Sequence, residues 1–248
     1  MGPLRNAYLD ALGIDRWVRR DAPVEIASIP QSVTASQVTP PVTRSAPPAV
    51  ARFEPMAPTA DWNTLRERIA ACTACDLCKT RTQTVFGVGN TNAEWLIIGE
   101  APGAEEDRQG EPFVGRAGQL LNAMLLAVGL PREQVFIANV LKCRPPGNRD
   151  PRPEEVSRCL PFLSNQIALL KPKIILVVGR IAAQTLLATD APLARLRGKV
   201  HSFGEPAIPL VITYHPAYLL RTPADKRKAW EDLKLARTTY LRVAAGNA

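Results

Sequence analysis

The sequence predicts a three-layer α/β/α sandwich around a four-stranded parallel sheet, and three observations carry that prediction. Apolar runs at residues 95–98, 135–140, 173–178 and 210–214 are almost uninterrupted, as in strands covered on both faces. Segments of helical periodicity, 154–170 and 181–187, alternate with those strands. Each run also ends on a glycine or a chemically capable residue: Glu100, Asn139, Gly179 and the pair His215-Pro216. Parallel strands deliver their exits to one edge, where ligands of such sheets bind, so Glu100, Asn139 and His215 are expected to converge there.

Taken in order, residues 4–20 place Leu4, Tyr8, Leu12 and Trp17 near helical spacing and end in clustered arginines. A short amphipathic helix over 1–21 follows, either docked on its own domain or recruiting a protein partner. Residues 22–60 hold eight prolines and little charge, the composition of an extended linker. We therefore expect a loosely attached N-terminal extension before a folded domain at 61–248. A helix is predicted over 61–71 with Asp61 or Asn63 as its cap. Beyond it come a cysteine cluster and the glycine-spaced stretch Phe86-Gly87-Val88-Gly89-Asn90, which leads into the first strand. A polar loop is expected over 104–118, then an apolar helix over 119–128 closed by Gly129. The last helix runs over 226–243.

Composition narrows the function. A chain of 248 residues, 46% hydrophobic, can bury one substantial core. No apolar run approaches a membrane span of roughly 18–20 residues, and the first 14 residues lack a signal peptide's apolar core, so a cytoplasmic chain without membrane attachment is expected. The 31 Lys and Arg outnumber 23 Asp and Glu, for a formal charge of +8. Residues 1–60 hold six basic and five acidic residues, so the excess belongs to the folded domain and suits a polyanionic partner.

Three of the five cysteines are bunched as Cys72-Thr-Ala-Cys75-Asp-Leu-Cys78. Cys143 lies just past the second strand and Cys159 sixteen residues on, within a helix. Four thiolates from two distant segments can close a tetrahedral site for zinc or hold an iron–sulfur cluster, and spacing alone does not choose. Cys78 is either a spare thiol or a substitute for Cys75. Other chemistries find no support: no GxSxG turn accompanies the two histidines, and Gly87-Val-Gly89 precedes its strand where a dinucleotide motif would follow one. His215 itself has a plainer reading, as a turn-capping imidazole beside a proline.

Several motifs appear together: Gly99-Glu-Ala-Pro-Gly103 followed by Glu106-Asp107, then Pro112-Phe113-Val114-Gly115, Asn139-Val-Leu-Lys-Cys143-Arg-Pro-Pro, and His215-Pro-Ala-Tyr-Leu-Leu-Arg221. In this order, and with the cysteines in place, residues 61–240 resemble family 4 uracil-DNA glycosylases, the iron–sulfur branch of that superfamily. The resemblance implies cleavage of the N-glycosidic bond of deoxyuridine in DNA, single- or double-stranded, by a monomer that releases free uracil. It also implies a [4Fe–4S] cluster on Cys72, Cys75, Cys143 and Cys159. By motif, Gly99, Glu100 and Ala101 line the base pocket, Glu106 lies near the sugar, Phe113 stacks on the flipped uracil, Asn139 reads its edge and His215 faces its O2. Whether Glu100 or Glu106 positions the attacking water is left open. Tyr218, Leu219, Leu220 and Arg221 would enter the minor groove, either leucine serving as wedge, with Arg144, Arg149 and Arg152 as phosphate contacts. The loop Arg144-Pro-Pro-Gly-Asn-Arg-Asp-Pro lacks the histidine with which a related branch traps its product, so multiple turnover is expected. The competing expectation is a DNA-binding or polymerase-associated adaptor with a vestigial pocket, recruited through residues 1–20.

Overall fold

Asp61 starts the first helix of the folded domain by accepting hydrogen bonds from the backbone amides of Asn63 and Thr64, at 2.8 and 2.9 Å. Such a cap stabilises a helix by about 1 kcal/mol. The structure, a computed structural model, describes Thr59 and residues 61–246. The predicted N-terminal helix and nearly all of the proline-rich linker lie outside the described residues. Thr59, at the linker's end, is buried, and both its amide and its hydroxyl donate to Asn165 Oδ1 at 2.8 Å.

The described elements run α1 (Trp62–Ala70), a 3-10 turn (Asp76–Lys79), β1 (Val88–Gly89), β2 (Trp95–Gly99), α2 (Ala104–Gln109) and α3 (Arg116–Ala127). They continue with β3 (Phe136–Asn139), α4 (Pro153–Leu170), β4 (Ile174–Val178), α5 (Arg180–Leu187) and α6 (Leu193–Leu196). The chain closes through β5 (Val200–Phe203), β6 (Ile208–Thr213), α7 (Pro216–Arg221) and α8 (Lys226–Ala244).

These strands form one sheet in the order β1-β3-β2-β4-β6-β5. The central four, β3-β2-β4-β6, are parallel, as the apolar runs predict. Two antiparallel edge strands extend the expected four to six: β1 on β3 and β5 on β6. Neither carries an apolar signal, since β1 is two residues with a glycine and β5 alternates exposed with half-buried positions.

Side chains of the parallel strands divide between two cores. Leu96, Ile98, Ile175, Val177, Leu210 and Ile212 pack against α1, α4 and α5 through residues such as Leu65, Leu163 and Ala182. Trp95, Ile97, Ile137, Leu176 and Val211 face the other way, against Leu121 of α3, Leu219 of α7 and Leu233 of α8. Full burial of each large aliphatic side chain contributes about 1.5–3 kcal/mol, so two dry layers fix the register of all four strands. An ion pair closes the far side: Arg197 donates to both carboxylate oxygens of the fully buried Asp232 at 2.9 Å.

Helix α2 occupies part of the expected loop. Its sequence AEEDRQ is too short and polar to show an apolar period, and Glu106 secures its start by accepting from the Gly103 amide at 3.1 Å. Among the described residues no helix is long and apolar enough to cross a membrane.

Candidate active site and cysteine cavity

The carboxyl ends of the parallel strands open on one cleft of ≈ 440 Å³, lined by Glu100, Ala101, Phe113, Asn139, His215 and Arg221 among others. The three residues expected to converge therefore do so. Gly99 pairs with Asn139 at the ends of β2 and β3, and the ladder continues past the strands as Val140 and Leu141 donate to the carbonyls of Gly99 and Glu100. This extension holds the Glu100 and Asn139 backbones in fixed register.

Gly99 makes room for the Asn139 and Phe113 side chains. A Cβ there would lie 2.4 Å from Asn139 Oδ1 and 2.7 Å from the Phe113 ring. Gly179, at φ +103°, brings the end of β4 beneath His215, where a Cβ would sit 3.2 Å from the histidine Cβ. Asn139 is 2% exposed, and its Oδ1 is buried without a hydrogen-bond partner among the described residues. A buried acceptor of this kind is costly unless a ligand satisfies it.

His215 caps α7, its Nδ1 accepting from the Ala217 amide at 3.1 Å. The capping role allowed from sequence is thus real, and it serves the site: a ring that accepts at Nδ1 carries its proton on Nε2. Desolvation, with Arg221 adding to it against Glu106, pulls the imidazole down to about 4, so it is neutral at physiological pH. Its ring lies 5.6 Å from that of Phe113, centroid to centroid, tilted by 31°. Glu100 moves the opposite way: desolvation and the Asp150 carboxylate push its acid up to about 7 against the pull of Arg180.

Glu106 also lines the cleft, but its carboxylate is occupied. Besides Gly103 it accepts from the Val114 and Gly115 amides, at 3.0 and 3.2 Å.

The residues expected at DNA divide. Leu219 is 1% exposed and belongs to the core, whereas Leu220 is exposed beside it, so of the two only Leu220 is available as a wedge. Arg221 stands exposed at the rim of the cleft. Tyr218 stacks on Tyr214 at 5.0 Å and donates to Asp225 at 2.6 Å. Arg149 is engaged in a bidentate pair with Glu155, at 2.5 and 2.9 Å, and Arg144 donates to Asn148 Oδ1 at 2.7 Å.

All five cysteines line a second cavity with Ile69, Arg81, Lys142, Arg158 and Phe162. Cys143 and Cys159 are buried, and Cys72, Cys75 and Cys78 half-buried. Arg81 approaches the Cys143 sulfur at 3.1 Å, and the Lys142 amide the Cys159 sulfur at 3.2 Å, donors that favour negative charge on sulfur. Burial pushes the Cys159 thiol up to about 12 and raises those of Cys75 and Cys143. Among the described residues no group of three or more His, Cys, Asp or Glu is arranged to hold a metal ion. Lys142, fully buried between the two cavities, donates to the Asn139 carbonyl and to Gln166, which in turn donates to the Phe86 carbonyl. Sequence reasoning overlooked Lys142, although an apolar strand end followed by a lone lysine beside a cysteine is a readable signal of a satisfied buried cation.

Fold and cleft define an α/β protein with a ligand cleft of mixed polar and apolar lining at the carboxyl edge of a parallel sheet. Known proteins narrow this further. A family model for the uracil DNA glycosylase superfamily matches residues 86–234. A type-4 uracil-DNA glycosylase of Archaeoglobus fulgidus is 46% identical over 173 residues, 67% of this chain and 86% of the relative. One from Thermotoga maritima is 42% identical over 177 residues, 69% and 91% of the two chains. A type-5 uracil-DNA glycosylase of Thermus thermophilus is 31% identical over 175 residues, 64% and 76%. The chain belongs to the uracil DNA glycosylase superfamily.

Proposed function

We propose that this protein is a monofunctional uracil-DNA glycosylase of the type-4 kind, which flips deoxyuridine out of DNA and hydrolyses its N-glycosidic bond. The observation that carries the reading is Asn139 Oδ1, a buried acceptor without a partner, at a slot bounded by Phe113 and His215. Uracil satisfies it: N3–H donates to Oδ1, and O4 accepts from the amide nitrogen. Cytosine offers an acceptor at N3 and a donor at C4, so both groups of Asn139 would be left unpaired, a penalty large enough to exclude it.

Each residue then has one task. Phe113 stacks on the ring. Neutral His215 donates from Nε2 to O2 and meets the negative charge that builds on the departing uracil. Water attacks C1′ as the C1′–N1 pair of electrons leaves with the base. Glu100, whose carboxyl accepts from no backbone amide among the described residues and is poised near neutral pH, stabilises the positive sugar and takes the water's proton. Glu106, engaged by three amides, holds the Phe113 loop and leaves the water to Glu100. Extrusion costs a few kcal/mol, least for unpaired or mispaired bases, so single strands and U·G pairs are good substrates. Leu220 fills the vacated stack, and Arg221 with Arg144 meets phosphates.

The cysteine cavity fits an iron–sulfur cluster. Five thiols from two distant segments line one space, and the Arg81 guanidinium and the Lys142 amide stand against two of the sulfurs as donors to thiolate charge. Cys72, Cys75, Cys143 and Cys159 would hold a [4Fe–4S] cluster, which would pin the segment after α1 to α4 and supply structural cross-linking. The N-terminal segment offers a partner site outside the catalytic step.

Purified protein incubated with an oligonucleotide containing one deoxyuridine, with no metal or nucleotide added, should release free uracil and leave one alkali-labile site. No free uracil and no alkali-labile site, while iron and labile sulfide are fully present, refutes the proposal.

A further inference from the structure

Phe113 holds a backbone conformation that bulky L-residues rarely adopt, with φ +56°. Such a conformation persists only where its surroundings impose it. Glu106 fixes the peptides on the carboxyl side, through the Val114 and Gly115 amides. On the amino side the partner is Arg132, from the 3-10 turn that precedes β3. One guanidinium nitrogen donates to the Pro112 carbonyl at 2.6 Å. The other reaches the Phe113 carbonyl at 3.4 Å and Asn122 Oδ1 at 3.0 Å. Gly118 allows the close approach, since a Cβ there would lie 1.8 Å from the Phe113 oxygen.

Arg132 is half-buried and does not line the cleft. Its planar fork matches two adjacent carbonyls and one amide oxygen, a pattern that a lysine ammonium on a flexible stem does not reproduce.

We propose that Arg132 is a positioning residue for base recognition: it clamps the Pro112 and Phe113 carbonyls and so holds the Phe113 ring against the uracil slot. The inference rests on the stacking role given to Phe113 above. It predicts that Arg132 matters only where a base is present to be stacked.

The test measures binding of Arg132→Met, Phe113→Ala and the double variant to two oligonucleotides. One carries a non-cleavable 2′-fluoro-deoxyuridine and the other a stable abasic analogue. Arg132→Met should weaken binding to the uracil strand about tenfold, the scale of one base–aromatic stack, and leave the abasic strand unchanged. The double variant should bind no worse than Phe113→Ala alone. Asn122→Ala, which loosens the guanidinium without removing it, should show a smaller loss of the same kind and covers the case in which Arg132→Met does not fold. Equal weakening on both strands, or losses that add in the double variant, overturns the inference while the stacking role stands. Phe113→Ala without effect on the uracil strand overturns both.

Discussion

Replacing Gly99 by alanine adds one methyl group between Asn139 and Phe113, two side chains that line the cleft. Its backbone needs no positive φ, so the perturbation is steric and local. The new Cβ would sit 2.4 Å from Asn139 Oδ1 and 2.7 Å from the Phe113 ring, where ordinary contact begins at 3.4 Å. The amide must retreat by about 1 Å and the ring by nearly as much, and both are the groups proposed to read and stack the base. Misplacement of about 1 Å costs on the order of 100-fold in rate, or about 2.7 kcal/mol of transition-state stabilisation. The fold is strained as well, by about 1–3 kcal/mol, the expected range for overpacking. Single-turnover excision from a uracil-containing strand, paired with a denaturant melt of the same preparation, separates the two effects. Activity within threefold of the parent would refute the claim that Gly99 is required by the packing of Asn139 and Phe113.

Further outcomes follow from the same geometry. Glu100, raised to about 7, prefers its protonated form in the folded state. Its contribution to stability is therefore complete below its unperturbed value of 4.5 and lost as pH rises through 7, so Glu100→Gln should melt higher than the parent above pH 7 and alike in strong acid. Activity should run the other way, with kcat/KM of the parent climbing through pH 7 and that of the variant low and flat. Asn139→Asp should admit cytosine by supplying a carboxyl that can donate to N3; an unchanged preference for uracil, measured on paired substrates, would remove the residue from base reading. Arg197→Leu leaves the Asp232 carboxylate buried without its cation, and should cost about 3–5 kcal/mol in a denaturant melt while the Arg197→Leu/Asp232→Leu pair recovers most of the loss.

The central sheet and the convergence of Glu100, Asn139 and His215 were legible in the sequence because both depend on contiguous signals. Four apolar runs define the parallel strands, and their exits inherit a common edge. The edge strands were not legible, since β1 has only two residues and β5 is half-exposed; both take their conformation from the strand they pair with. Helix α2 was hidden for a related reason, its polar first turn being organised by the Glu106 carboxylate. Glu106 and Leu219 show the limit for site residues. A motif names the residue type, whereas three amide partners and burial in the α3–α8 layer decide what each side chain is free to do. Arg132 carried no signal at all, because its role is a set of carbonyl contacts to a segment about twenty residues earlier.

The most direct test is a crystal structure of the purified protein with free uracil. The ring should lie against Phe113, with N3–H donating to Asn139 Oδ1 and O2 accepting from His215 Nε2. Uracil bound elsewhere, or Asn139 Oδ1 still without a partner in an occupied cleft, would contradict the account.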